Sequence, residues 1–212
     1  MPLVLSRSLE ALERATTKPG HSISVYEPCE QRETQRKDNV KMADRIIRAL
    51  NERRMILALQ PIVRAGDRKP AFYEALLRMR EVDGTVVPAG AFIPVAERLG
   101  LARLIDHRML ELAIKVLRAS ANLNISLNVS GETASDPAWL NALRALTNSD
   151  VSIMRRMMVE ITETTAITDV EESVMFVKSL RDLGCRVAIP ASGGGSSSFH
   201  NLYPLAFAPA QS

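Results

Sequence analysis

The chain has 212 residues, 46% of them hydrophobic, enough for one substantial core. Its 27 basic and 24 acidic residues leave a formal charge of +3, and only short clusters such as Arg53-Arg54 and Arg155-Arg156 interrupt their mixing. That is a solvated surface and argues against a nucleic-acid polymer as partner. No apolar run approaches the ~20 residues of a membrane helix, MPLVLSRSLEAL is charged too early for a secretory signal, and Cys29 and Cys185 form no C-x-x-C or Cys/His spacing. The expected protein is soluble, has no membrane partner and resides in a reducing cytoplasm.

Residues 1–34 read as an N-terminal appendage, 35–202 as the main domain and 203–212 as an irregular tail. In the appendage, Ser6 to Ala15 has the pattern of a short helix, TKPG from Thr17 breaks it, and HSISVYEP from His21 reads as a strand ended by Pro28. CEQRETQRKDN is a polar linker or helix start. From Asn39, VKMADRIIRALNERR places Met42, Ile46, Ile47 and Leu50 on one helix face.

Strands and helices then alternate. Met55 to Val63 and Ala71 to Arg78 are strands flanking a turn at Gly66-Asp67, spaced as a hairpin-like or adjacent pair. Phe92 to Leu99 and Asp106 to Arg118 are helical. Leu123 to Val129 is a strand, Trp139 to Leu146 a helix and Met157 to Thr162 a strand. Val170 to Leu183 is a helix stopped by Gly184, and a fifth strand begins over Arg186 to Ile189. Strands separated by helices imply an α/β protein with its chemistry at the carboxyl ends of the strands. After Gly193 the sequence becomes GGGSSS and a proline-containing end without strand pattern. About five strands are thus legible, against the eight of a (β/α)₈ barrel, which takes ~250 residues.

Glu74, Asn128 and Glu160 each interrupt an apolar strand late in its length. Three oxygen donors on three successive strands suit a hard cation such as Mg²⁺, which would in turn clamp a phosphate. The plainer alternative is that strand ends are polar because they meet water.

The motifs LQPIV (Leu59 to Val63), EALLR (Glu74 to Arg78), AFIPVAERLGL (Ala91 to Leu101), LNVS (Leu127 to Ser130) and VEITET (Val159 to Thr164) occur in an order and spacing that resemble the EAL family of cyclic-di-GMP phosphodiesterases. The resemblance runs from about Ala43 to Leu202. It implies a TIM-type (β/α) barrel, here incomplete, with about five of eight strands present. It also implies cyclic di-GMP as ligand and Mg²⁺ or Mn²⁺ as cofactor. Glu74, Asn128 and Glu160 would be metal ligands, Gln60 and Arg78 would bind the nucleotide, and Glu163 would anchor the loop after the fifth strand. ALERATTKPGHSISVYEP (Ala11 to Pro28) resembles the end of a GGDEF-type diguanylate cyclase domain, and is equally well read as an ordinary helix and strand.

One departure bears on catalysis. The family's paired aspartates align with Pro190 and Ala191, neither of which ligates a metal, while Gly193, Gly195 and Ser197-Ser198-Phe199 keep the register. Two-metal hydrolysis holds its ions about 3.5–4 Å apart, and the bridging carboxylates are what sets that distance. The residues the family carries on its later strands fall beyond Ser212. The expectation is therefore a degenerate, catalytically inactive EAL-type module of cyclic-di-GMP signalling that senses the nucleotide or binds a protein partner, including a second copy of itself. Its alternatives are a truncated remnant without function and an active phosphodiesterase yielding linear pGpG.

Overall fold

The computed structural model describes residues 30–134, 136–161 and 170–188, together with residues 8, 9, 11, 12, 15 and 16, which are helical. The chain divides into two compact units, Met1–Lys41 and Met42–Ser212. In the first, the polar stretch after Cys29 is helix from Glu30 onward, the opening of α1 (Glu30–Asn51). It has no apolar stripe, but Glu, Gln, Arg and Lys are good helix formers, and Gln35 Nε2 donates to Asn39 Oδ1 one turn on at 3.0 Å.

In the second unit, the last turns of α1 bury Ile46 and Ala49 against Met55, Leu77, Met79, Phe92, Ala96 and Ile105. The chain then forms β1 (Met55–Val63) and β2 (Pro70–Arg80), an antiparallel pair. Their turn is closed by a 3.0 Å bond from Arg64 N to Lys69 O and by Asp67, which accepts from the Lys69 N–H and pairs with Arg64. β2 is buried at Ala75, Leu77 and Met79 and only half-buried at Glu74, Leu76 and Arg78. That two-residue period turns one face to the core and the other toward the site.

A short strand that the sequence reading had not anticipated, β3 (Val86–Pro88), folds back on β2 with Arg78 opposite Pro88. The turn between them holds Gly84 at φ 89°, a conformation suited to glycine, and the Asp83 side chain accepts from the Thr85 N–H. A 3-10 turn (Ala89–Ala91) leads to α2 (Ile93–Arg98) and α3 (Ala102–Ala119). Next come β4 (Ile125–Val129), α4 (Gly131–Ala134), α5 (Pro137–Thr147), α6 (Val151–Met154), β5 (Met157–Ile161), α7 (Val170–Asp182) and β6 (Arg186–Ala188).

The sheet order is β1-β2-β4-β5-β6, with β3 on the end of β2. β2, β4, β5 and β6 run parallel, so their carboxyl ends open on the same side. The described residues therefore supply a mixed α/β sheet of the TIM-barrel kind, with five strands in line. Its main core lies between β4 and β5 and helices α3, α5 and α7, where Ile125, Leu127, Val159, Leu110, Leu117, Leu143 and Leu180 are buried around Trp139. Trp139 tilts against Phe176 at 5.8 Å and 57°. Asp136 caps α5 by accepting from Ala138 N, Pro137 occupies its first turn, and Asn148 ends it in the left-handed conformation.

No helix among the described residues is long and apolar enough to cross a membrane. Cys185 is a buried free thiol whose pKa burial pushes up to about 12. Cys29 lies outside the described residues, as does the strand expected from His21.

Candidate functional site

Strand register brings the predicted residues together. Gln60 on β1 faces Glu74 on β2. Glu74 faces Ser126 on β4, and two residues further along β4 Asn128 faces Glu160 on β5. Residues two apart in a strand share a face, so Gln60, Glu74, Ser126, Asn128 and Glu160 occupy one face of four neighbouring strands. Asn128 Nδ2 donates to Glu74 Oε1 at 3.2 Å, diagonally across β4 and β2. Arg78 lies on the same face of β2 as Glu74, half-buried, and its Nη1 donates to Leu77 O at 2.8 Å.

Glu160 is the buried member. All five residues of β5 are buried, and Glu160 is only 8% exposed. Burial raises its pKa, the nearby Ser126 hydroxyl opposes that shift, and the Glu74 charge adds to it. Close as the Ser126 hydroxyl stands to the carboxyl, neither Ser126 Oγ nor Glu160 Oε1 has a partner at hydrogen-bond distance and angle. An orphaned carboxylate oxygen costs free energy in the folded state unless something charged or hydrogen-bonding meets it. Together with the oxygens of Glu74 and Asn128 it makes a donor set that suits one hard cation. Among the described residues no group of three or more His, Cys, Asp or Glu side chains could hold a metal. The Asn128 amide is what would complete the set.

Beside this group, at the carboxyl ends of β2 and β4, a cavity of about 320 Å³ opens between the sheet and helices α2 and α3. Its walls are mainly apolar, with Leu76, Ile93, Pro94 and Met109 among them, and its polar edge includes Glu97, Asp106, Asn128 and Ser130. Asp106 is buried, accepting from Ser130 N at 2.9 Å and Thr133 Oγ1 at 2.7 Å. Burial raises its pKa, and these bonds pull it part of the way back. Glu97 is also shifted upward, first by burial and then by the charges of Asp106 and Glu132. An apolar slot with a few convergent polar groups is the usual form of a small-molecule site.

Sequence reasoning missed Glu97, Asp106 and Ser126. Asp106 carried a signal, since it stands between Ile105 and Met109 on the buried face of α3. Ser126 carried none beyond being a hydroxyl in an apolar strand. Glu163, Pro190 and Ala191 lie outside the described residues.

The parallel sheet with oxygen donors at the carboxyl ends of its strands places the protein among α/β barrel-type proteins that carry a ligand site at that end. Within that class the chain belongs to the EAL domain family, whose profile it matches over residues 43–208. Among curated proteins it is 29% identical over 170 residues to the cyclic di-GMP phosphodiesterase PdeF of Escherichia coli, covering 78% of this chain and 22% of that protein. It is 28% identical over 162 residues to the bifunctional diguanylate cyclase/cyclic di-GMP phosphodiesterase MucR of Pseudomonas aeruginosa, covering 74% of this chain and 24% of the other. The chain thus spans about a quarter or less of the length of these relatives.

Among solved structures it resembles the PaMucR phosphodiesterase in its c-di-GMP complex, with a TM-score of 0.65 and 27% identity over 74% of this chain and 66% of that one. It also resembles the FimX EAL domain from Pseudomonas aeruginosa bound to c-di-GMP, with a TM-score of 0.64 and 25% identity over 74% and 65% of the two chains.

Proposed function

We propose that this chain is a cyclic-di-GMP-recognising EAL module that binds the nucleotide at the carboxyl end of its sheet and does not hydrolyse it. The observation that carries the reading is the convergence of Glu74, Asn128 and Glu160 on one face, with a buried carboxylate oxygen left unpartnered. These residues would hold one Mg²⁺ or Mn²⁺, which supplies positive charge for a phosphate. Arg78 offers a planar fork of N–H donors to the same phosphate group, and Gln60 an amide opposite Glu74. The adjoining apolar cavity suits the flat face of a base. Support from kinship comes from the similar PaMucR phosphodiesterase and FimX EAL domain, each solved in complex with c-di-GMP.

The sequence speaks against hydrolysis. Pro190 and Ala191 stand where the family pattern has aspartates, and a single cation lacks the partner ion that activates water. By the family resemblance Glu163 would anchor the loop after the strand that begins at Arg186, and the output of such a module is a changed contact with a protein partner or with a second copy of this chain. The competing reading, an active phosphodiesterase giving linear pGpG, is favoured by the phosphodiesterase names of its relatives.

Calorimetric titration of the folded chain with cyclic di-GMP and Mg²⁺ tests recognition, and heat of binding is expected. No heat at high micromolar nucleotide removes the binding claim. Chromatography after long incubation with Mn²⁺ tests inactivity. Accumulation of pGpG that is abolished by Glu74→Ala would restore the enzyme reading.

A further inference from the structure

We infer that Ser126 is a positioning residue of the Glu74–Asn128–Glu160 site, its hydroxyl orienting the Glu160 carboxylate toward a divalent cation. The inference rests on the cation reading of that site given above.

Three placements carry it. Ser126 lies on β4 directly opposite Glu74 of β2, and two residues before Asn128 on the same face. On its other side it faces Met158 of β5, two residues before Glu160. The hydroxyl therefore stands between the strands that bring the two carboxylates. Ser126 is 0% exposed, and Ser126 Oγ and Glu160 Oε1 are both buried without a hydrogen-bond partner. Two orphaned polar atoms at neighbouring positions on one sheet face are costly as packing, since an alanine at position 126 would bury nothing polar. A hydroxyl carries one donor and two lone pairs. It can donate to one Glu160 oxygen while the other faces the cation, or turn a lone pair toward the cation's own shell. Groups that orient a ligating carboxylate in this way are commonly worth 10–100-fold in metal affinity.

The same geometry separates this role from a structural one. A hydroxyl kept for stability makes the metal-free protein less stable when removed. One kept for the site leaves the metal-free protein unharmed and weakens cation binding.

Mn²⁺ serves as the probe, with the full chain stripped of metal. Its affinity is read by calorimetry and by loss of the free-ion electron paramagnetic resonance signal, alongside the metal-free thermal midpoint. Ser126→Ala is expected to weaken Mn²⁺ binding about 10-fold or more with a midpoint equal to or above that of the unsubstituted chain. Adding Ser126→Ala to Glu160→Gln is expected to cost nothing further. Should Ser126→Ala fail to fold, Ser126→Cys, which keeps the volume and most of the shape, carries the same comparison. Unchanged Mn²⁺ affinity in Ser126→Ala while Glu160→Gln loses it overturns the role of Ser126 and leaves the cation site standing. A lowered metal-free midpoint with unchanged affinity overturns it as well. If the unsubstituted chain binds Mn²⁺ no better than Glu160→Gln, the cation site and this inference fall together.

Discussion

Asn128 Nδ2 donates to Glu74 Oε1 at 3.2 Å from a strand that is not adjacent to β2 in sequence. The bond joins the EAL signature to the β4 motif LNVS, and it ties the Glu74 carboxylate to a residue two places beyond Ser126, which is Glu74's own register partner, while Asn128 stays exposed. Because Asn128 is exposed, its removal leaves no buried group stranded, and its stability cost is expected within ~0.5 kcal/mol. The site should respond more strongly. Asn128→Ala is expected to weaken Mg²⁺ or Mn²⁺ binding by about 10-fold or more and to shift the thermal midpoint by no more than ~2 °C. Calorimetry and a melting curve on the same sample decide it. Equal metal affinity in the two proteins would remove Asn128 from the ligand set.

Glu160 gives the metal-free protein a pH signature. Its folded pKa is raised by burial above the ordinary carboxyl value of 4.5, with Glu74 adding to the rise and Ser126 opposing it. In the window between 4.5 and the raised value, the folded state holds a proton that the unfolded state has released. Stability therefore falls as pH rises through that window. Below pH 4.5 the contribution is fully present, and above the folded pKa it is lost. Glu160→Gln cannot titrate. Its midpoint relative to the unsubstituted chain should be flat below the window, climb in the glutamine protein's favour through it and level off above. A difference independent of pH would mean that Glu160 titrates alike folded and unfolded. Added Mn²⁺ should oppose the loss, since it favours the ionised carboxylate.

Trp139 is the sole tryptophan of the chain and is 0% exposed. It sits against Phe176 of α7, and its indole Nε1 donates to Asp106 O at 3.4 Å. One side chain thus ties α5 to α7 and to the start of α3. Trp139→Ala should cost ~3–5 kcal/mol, which for a chain of this size lowers the midpoint by roughly 10 °C. Trp139→Phe keeps the ring contact and should cost less than half as much. The intrinsic fluorescence of the unsubstituted chain should be blue-shifted when folded and move to the red in the same transition as the helical signal. Separate transitions would mean that the core around Trp139 and the rest of the sheet unfold independently.

How much of this was legible depends on what each residue reports locally. Ala75, Leu77 and Met79 alternate with Glu74, Leu76 and Arg78, so the period of β2 and the face of its glutamate could be read directly. Glu74, Asn128 and Glu160 stood out because each breaks an apolar run. β3 was not legible: it is three residues long, ends in Pro88 and exists only because the Asp83-Gly84 turn folds it back onto β2. Whether the stretch after Cys29 was linker or helix start stayed open in the sequence for the opposite reason, since the first turns of α1 are almost wholly exposed and have no apolar period to show. Tertiary ties such as the pairing of Arg45 on α1 with Glu81 just after β2, at 2.6 Å, have no local signature. The unpartnered state of Ser126 and Glu160 is likewise a property of the neighbours that surround them.

Asp106 links the core to the site. From α3 its carboxylate accepts from Ser130 N and Thr133 Oγ1, which fixes the turn between β4 and α4 immediately after Asn128. Its backbone carbonyl meanwhile receives the Trp139 indole. Asp106→Ala leaves the backbone amide of Ser130 and the buried hydroxyl of Thr133 without their acceptor, at about 1–3 kcal/mol. Asp106→Asn keeps one acceptor oxygen and should recover part of that. The effect should be local as well as global. Amide hydrogen exchange over residues 130–134 should quicken more than over β5, and Mn²⁺ affinity should fall because Asn128 loses the turn that steadies it. If exchange quickens evenly across β4 and β5 while the affinity of the folded fraction is unchanged, Asp106 serves the core alone and the turn is held by other contacts.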